Sequence, residues 1–449
     1  MGLTLLKWGF FLLSVGTVFY FGWKKPSVLI SLLAGAVALD ISITWFPSLG
    51  PLGSQLGSLA RLITVGIIGA ALWRLWIEPE KRRKLKVILN HFLTRALLIY
   101  IAVGAFSFLY SLGRGQTVVE VSRLLTLFLL YLSICLLAER KHALLPFQVV
   151  HWVGVALVPL TLYEGLTRHF IWLGYLAEGT IARVNTTFVD PNIFARYLVL
   201  GIVANLIIQY YNAETRKRVV YFVSLLGLMG ALAITLSRSG ELTLAIVLVL
   251  ILLLIPRKRM IQPIGLMGLI GAGIVALSPT VWQRLLTFRK GFGALDAQRE
   301  YLWRVSWAMF TDHPIFGVGL GGFQKMFLTH YLSYKTVIPY VEGVSLSHTT
   351  LLTIAVELGL IGLAALVWIW WALVRVLRGC TKHRSLAGKD DIDRNRLERY
   401  IPGVGYFLWI VTVFISSQAE GRFFEDPMIW ISMGMMLCLL VEVGSEKKT

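Results

Sequence analysis

A lone histidine, His348, stands in the stretch SLSHTTLLTIAVELGLIG (345–362), at the threshold of a long apolar run. An imidazole with an unperturbed pKa near 6.5 accepts a proton readily at neutral pH, which makes His348 the first candidate for acid–base work. Four arginines share its side of the membrane: Arg238 in TLSRSGEL, Arg196 in DPNIFARY, and Arg299 and Arg304 in AQREYLWRVSWAMFTD (297–312). A single arginine near a membrane end ordinarily snorkels to headgroups. Several converging ones would instead form a pyrophosphate site, because the planar guanidinium fork matches phosphate oxygens two at a time. Glu357 is a mid-helix carboxylate that needs a partner, and intramembrane ionisable groups are functional candidates by default. It follows His348 by nine residues, so on one continuous helix it faces the opposite side and cannot orient that imidazole. Gly359 and Gly362 return to the histidine's face, where small residues permit close helix approach.

The elements that must position these groups are membrane helices. The 449 residues are 57% hydrophobic and 15% charged, and the charges gather between apolar runs long enough to span a bilayer. The expected fold is all-α, a polytopic transmembrane bundle of twelve or thirteen spans forming a single integral membrane domain over 1–449. The candidate spans are 4–22, 27–46, 58–77, 88–110, 117–137, 145–164, 192–210, 219–237, 240–255, 262–279, 351–378, 402–418 and 428–443. The first run carries no small-residue cleavage site and is expected to stay as a membrane helix. The net charge of +19 does not signal nucleic acid. More than half of the 43 lysines and arginines sit in short connections such as Lys81–Lys86 and Arg375–Arg399, the positive-inside pattern that marks the cytoplasmic face. Cys135, Cys380 and Cys438 match no metal or disulfide spacing.

The outward connection 280–350 is far longer than ordinary loops and is where chemistry is expected. Within it, 297–312 reads as an amphipathic helix with Leu302, Val305 and Met309 on one side and Trp303 and Trp307 suited to an interface. HPIFGVGLGGF (313–323) has no strand before it and no Gly-Lys-Ser/Thr, so its glycines are read as allowing a tight reversal beside packed helices rather than as a phosphate cradle. DDID (390–393) spells the Asp-x-Asp of metal-dependent glycosyl transfer, but among Lys389, Arg394 and Arg396 it is read as a solvated charged face. No metal site and no cofactor is expected. In NTTFVDPNIFARY (185–197), Asp190 is read as the N-cap of a helix with Pro191 at its first position, substrate contact by Asp190 or Asn192 being the alternative.

Together, FVDPN (188–192), SRSG (237–240), QREYLWR…HPIFGVGLGGF (298–323) and SHTTLLTIAVELGLIG (347–362) resemble the O-antigen ligase and polymerase superfamily, over about residues 185–365. The resemblance implies an enzyme on the periplasmic side of the bacterial inner membrane, transferring glycan from an undecaprenyl-diphosphate carrier without metal or nucleotide. For the ligase branch the acceptor is a sugar hydroxyl of lipid A–core. It further implies that His348 is the essential histidine and that Arg238 and Arg299 contact the diphosphate, with Arg196 and Arg304 as weaker transfers and Asp190, Asn192 and Glu357 in support. A base that activates an acceptor hydroxyl must then sit at the depth of the lipid-linked diphosphate, which answers why a histidine borders the apolar run. An O-antigen polymerase or related oligosaccharyltransferase shares the donor chemistry, and a lipid-linked glycan transporter is the alternative outside the class. The transporter would more naturally show paired broken helices or inverted repeats.

Overall fold

The structure, a computed structural model, describes residues 2–48, 50, 56–173, 175–177, 181–211, 215–255, 260–265, 267–269, 273, 297–331, 347–381, 389–421 and 423–441. Its helices are α1 (Gly2–Lys24), α2 (Pro26–Ala36), α3 (Leu59–Ile77), α4 (Pro79–Asn90), α5 (Phe92–Phe106), α6 (Arg114–Leu137), α7 (Leu145–Thr167), α8 (Pro191–Tyr211), α9 (Thr215–Ile234) and α10 (Arg238–Leu254). After them come α11 (Ala297–Asp312), α12 (Phe323–His330), α13 (Thr350–Thr381), α14 (Lys389–Ser417) and α15 (Pro427–Leu440). The fold is helical as expected, with one departure: the connection after α7 carries a two-stranded antiparallel pair, β1 (Tyr175–Ala177) and β2 (Ile181–Arg183).

Nine helices among the described residues are long and apolar enough to cross a membrane, and the chain is a multi-pass membrane protein. Three of the expected runs take other forms. The run 27–46 is α-helical only to Ala36, because Thr187 takes the backbone beyond it: Thr187 Oγ1 donates to the Ala38 carbonyl at 2.6 Å, and the Ile41 N–H donates to the Thr187 carbonyl at 3.0 Å. The run 240–255 becomes the 17-residue α10, which starts on Arg238, and 428–443 becomes the 14-residue α15. Most of 262–279 lies outside the described residues.

Burial ranks the helices. In α8, 89% of the most apolar window is buried, against 17% in α1, so α8 is central and α1 is peripheral. α14 lies beside α8, where the Trp409 indole N–H donates to the Leu200 carbonyl at 3.0 Å. On the lysine-rich α4, Lys81 donates to the last carbonyls of α6 through Leu136 at 2.9 Å, and Arg82 donates to Leu75 at 2.7 Å. Cations thus cap helix C-termini whose carbonyls have no helical partner.

The long connection after α10 builds the rest of the site. α11 buries the expected face: Leu302, Val305 and Met309 form one cluster with Phe323, Phe327 and Val356. α13 is broken, not continuous. Gly359 has φ 62° and ψ −156°, and four backbone groups that would pair within a regular helix pair with the glycine segment instead. The Val318 and Gly319 N–H groups donate to the Val356 and Glu357 carbonyls at 2.8 Å each. In return, the Leu360 and Ile361 N–H groups donate to the Pro314 and Ile315 carbonyls at 2.8 and 3.3 Å. Helical phase therefore does not carry from His348 past Gly359. Broken helices are tolerated at membrane depth only where protein or water meets the freed groups, and here residues 314–319 do so.

Candidate active site

His348 occupies the turn that leads into α13. The residue is exposed and has φ 54°, a left-handed conformation that non-glycine residues seldom adopt. Its neighbours fix the turn. Buried Ser347 hydrogen-bonds Thr353 across the first turn at 2.8 Å, and the Trp303 indole N–H of α11 donates to Thr349 Oγ1 at 2.8 Å. From the end of α14, Gln418 Oε1 accepts the Leu351 N–H at 3.2 Å, satisfying one of the four orphan donors at the start of α13, and Thr350 Oγ1 donates to the Ser417 carbonyl at 3.2 Å. Gly421, at φ 77°, packs so closely that a Cβ on it would lie 3.4 Å from the His348 Cα. These elements leave an imidazole on a rigid, accessible turn.

The arginines fall into different surroundings. Arg238 opens α10, half-buried, directly after its N-cap Ser237. Ser237 Oγ donates to Asn192 Oδ1 at 2.9 Å, and the same oxygen accepts from Arg183 of β2 at 2.8 Å. Asp190 accepts the Asn192 N–H at 2.6 Å, so it caps α8 as expected and Asn192 joins α8 to α10. Arg196 is buried, and its two terminal nitrogens are held by Glu420 Oε2 and Asp426 Oδ2 at 2.9 Å each. Both prongs of that fork are thus engaged by carboxylates. Arg304 is exposed and pairs with Glu300 at 2.5 Å within α11. Arg299 lies in α11 on the same helix, and its side chain lies outside the described residues. Near the Arg196 cluster, burial pushes the Asp40 carboxyl above the usual range; the Val189 N–H opposes that shift, Asp426 adds to it, and Arg196 opposes it.

Linkages join most of these positions. The 418–421 segment that braces His348 also carries Glu420, the partner of Arg196, and α10 touches α14 where Thr243 and Ser416 hydroxyls lie 3.2 Å apart. Glu357 stands apart from His348, with its backbone gripped by the glycine segment and its buried carboxyl facing the Gly321 and Phe323 amides. Sequence reasoning passed over Glu420, Asp426, Gln418 and Arg183. The only signal for the first two was the presence of three acidic residues in the short connection 419–427. Among the described residues no group of three or more histidine, cysteine, aspartate or glutamate side chains is arranged to hold a metal ion. The side chains of DDID lie outside the described residues.

Residues 222–367 match the family model described as O-antigen ligase. No curated protein matches the chain. His348, Arg238, Arg299, Arg304 and Glu357 all fall inside the matched stretch, whereas Arg196, Asp190 and Asn192 precede it.

Proposed function

We propose that this protein is a glycosyltransferase of the O-antigen ligase type, acting at the periplasmic face of the bacterial inner membrane. It moves glycan from an undecaprenyl-diphosphate-linked donor to a sugar hydroxyl of lipid A–core. His348 takes the proton of that hydroxyl on an imidazole nitrogen as the oxygen bonds to the anomeric carbon. The bond from that carbon to the diphosphate oxygen breaks, its electron pair leaves with undecaprenyl diphosphate, and the anomeric configuration inverts. General-base help of this kind contributes about 10²–10⁴-fold, and positioning of two tethered substrates supplies more. Arg238 and Arg299 stabilise the charge that grows on the departing diphosphate. Arg304 is a further donor from the same helix, while Arg196, already engaged by Glu420 and Asp426, acts on the 418–421 segment and so on His348. A leaving group that is already activated and met by guanidinium groups needs no metal.

The observation that carries this reading is the exposed, left-handed His348 turn braced by Trp303, Gln418 and Gly421 within the stretch matched to the family. Ligase and polymerase differ in acceptor, so the deciding experiment supplies purified protein with lipid-linked glycan and either lipid A–core or a second lipid-linked glycan. A glycan–lipid A–core product is expected. Chain extension alone would make the protein a polymerase. The transporter alternative draws on the broken α13, but the break is filled by residues 314–319. Donor translocation across vesicles without glycosidic bond formation would favour it.

A further inference from the structure

A cavity of about 300 Å³ adjoins the His348 turn, sharing Thr350 and Gly421 with it. That size is at the lower end of small-molecule sites and has room for a sugar ring but not for a lipid chain. Its walls mix hydrogen-bonding groups with aromatic faces: Glu357, Glu120, Glu425, Gln324, Phe423 and Phe424. Glu357 is 4% exposed; its carboxyl faces the Gly321 and Phe323 amides, and of its two oxygens Oε1 has no hydrogen-bond partner among the described residues. A buried acceptor left in this way costs free energy unless a ligand or water meets it. The other carboxyls are engaged: Arg123 pairs with Glu120 at 2.9 Å and Glu425 at 2.8 Å, and Gln116 donates to Glu120 at 2.8 Å.

This charge pattern selects the ligand. The one guanidinium, Arg123, is held by two carboxylates, Glu120 and Glu425, which leaves the cavity with an excess of negative charge, so a phosphate entering here would meet net repulsion. Hydroxyl or ammonium hydrogens would meet acceptors, and sugar rings would meet Phe423 and Phe424. The donor's diphosphate is thereby kept out of the cavity and left to the arginines. Backbone design supports a fixed site: the Gly319 N–H clamps the Glu357 carbonyl, and a Cβ on Gly321 would meet Gln116 and Glu120 side chains at 2.9 and 3.0 Å.

We propose that this cavity is the acceptor-sugar subsite, in which Glu357 accepts a ring hydroxyl or amine hydrogen and Gln324 lines the entrance beside it, so that a neighbouring hydroxyl reaches His348. The proposal rests on the glycosyltransferase reading above. Two variants test it. Glu357→Gln replaces an acceptor oxygen with a donor, and Gln324→Ala alters an exposed side chain whose loss spares the fold. In transfer assays both raise the KM for lipid A–core about tenfold while the donor KM stays within twofold. Direct binding of glucose and glucosamine, followed by saturation-transfer NMR without donor, gives a signal in the wild type that falls in both variants. An unchanged acceptor KM, a shift in donor KM instead, or a sugar signal that is missing from the wild type or survives Glu357→Gln overturns the subsite. A wild type that binds sugar but transfers nothing overturns the glycosyltransferase reading and leaves the cavity as a sugar site.

Discussion

At the scale of residues, the candidate site separates groups by how far they are buried. His348 is exposed, so truncation to alanine removes proton chemistry and little packing. His348→Ala is expected to lower transfer by at least about 10²-fold while stability, read from thermal melting in detergent, changes by less than about 1 kcal/mol. Arg238→Lys keeps the charge and loses the fork; a clear fall in transfer is expected, and full activity would make Arg238 a point charge or membrane anchor. Arg196 belongs to another category. Removing a buried guanidinium leaves Glu420 and Asp426 uncompensated, which typically costs about 3–5 kcal/mol. Arg196→Ala should therefore melt markedly lower and lose transfer, whereas Glu420→Gln, which keeps a hydrogen-bond acceptor, should recover much of both. The sequence pointed to His348 and to the Asp190 cap because both sit beside recognisable helix starts. It could not pair Arg196 with Glu420, since 224 residues separate them and no periodicity links them.

Among elements, the break in α13 matters most. The run from 351 to 378 carries Glu357 as its only charge before Arg375 and keeps its apolar character past Gly359, so its pattern does not distinguish a broken helix from a whole one. The glycines of 313–323 were legible as a close reversal, but the partner they approach was not. Gly317, at φ 70°, would place a Cβ 2.5 Å from Glu357 backbone atoms, and Gly359 would place one 2.3 Å from the Ile315 carbonyl oxygen. Gly317→Ala and Gly359→Ala each combine left-handed strain of about 1–3 kcal/mol with a backbone clash. Both should melt well below wild type. Gly230→Ala, with nothing within 4 Å of the new methyl, should melt at or slightly above wild type because alanine favours a helix interior. Equal melting of all three variants would show that the break is not rigid. The amphipathic period of 297–312 did foretell its buried face, since Leu302, Val305 and Met309 pack together against Phe323, Phe327 and Val356.

For the whole molecule, the charge distribution and apolar runs foretold a multi-pass bundle, and among the described residues nine helices are long and apolar enough to span, against the twelve or thirteen runs read from the sequence. Tertiary contacts such as Thr187 on the end of α2 cut runs short in ways composition does not encode. The proposal that chemistry sits on the outward face, opposite the basic connections, sets it against an inward metal site at DDID. The most direct test measures glycan transfer to lipid A–core by purified wild type, the Asp391→Ala/Asp393→Ala double variant and His348→Ala, each in excess EDTA with no nucleotide added. Wild type and the double variant should transfer at equal rates and His348→Ala should not. Loss of transfer in EDTA or in the aspartate variant, or transfer by His348→Ala near the wild-type rate, would contradict an outward, metal-independent site built on His348.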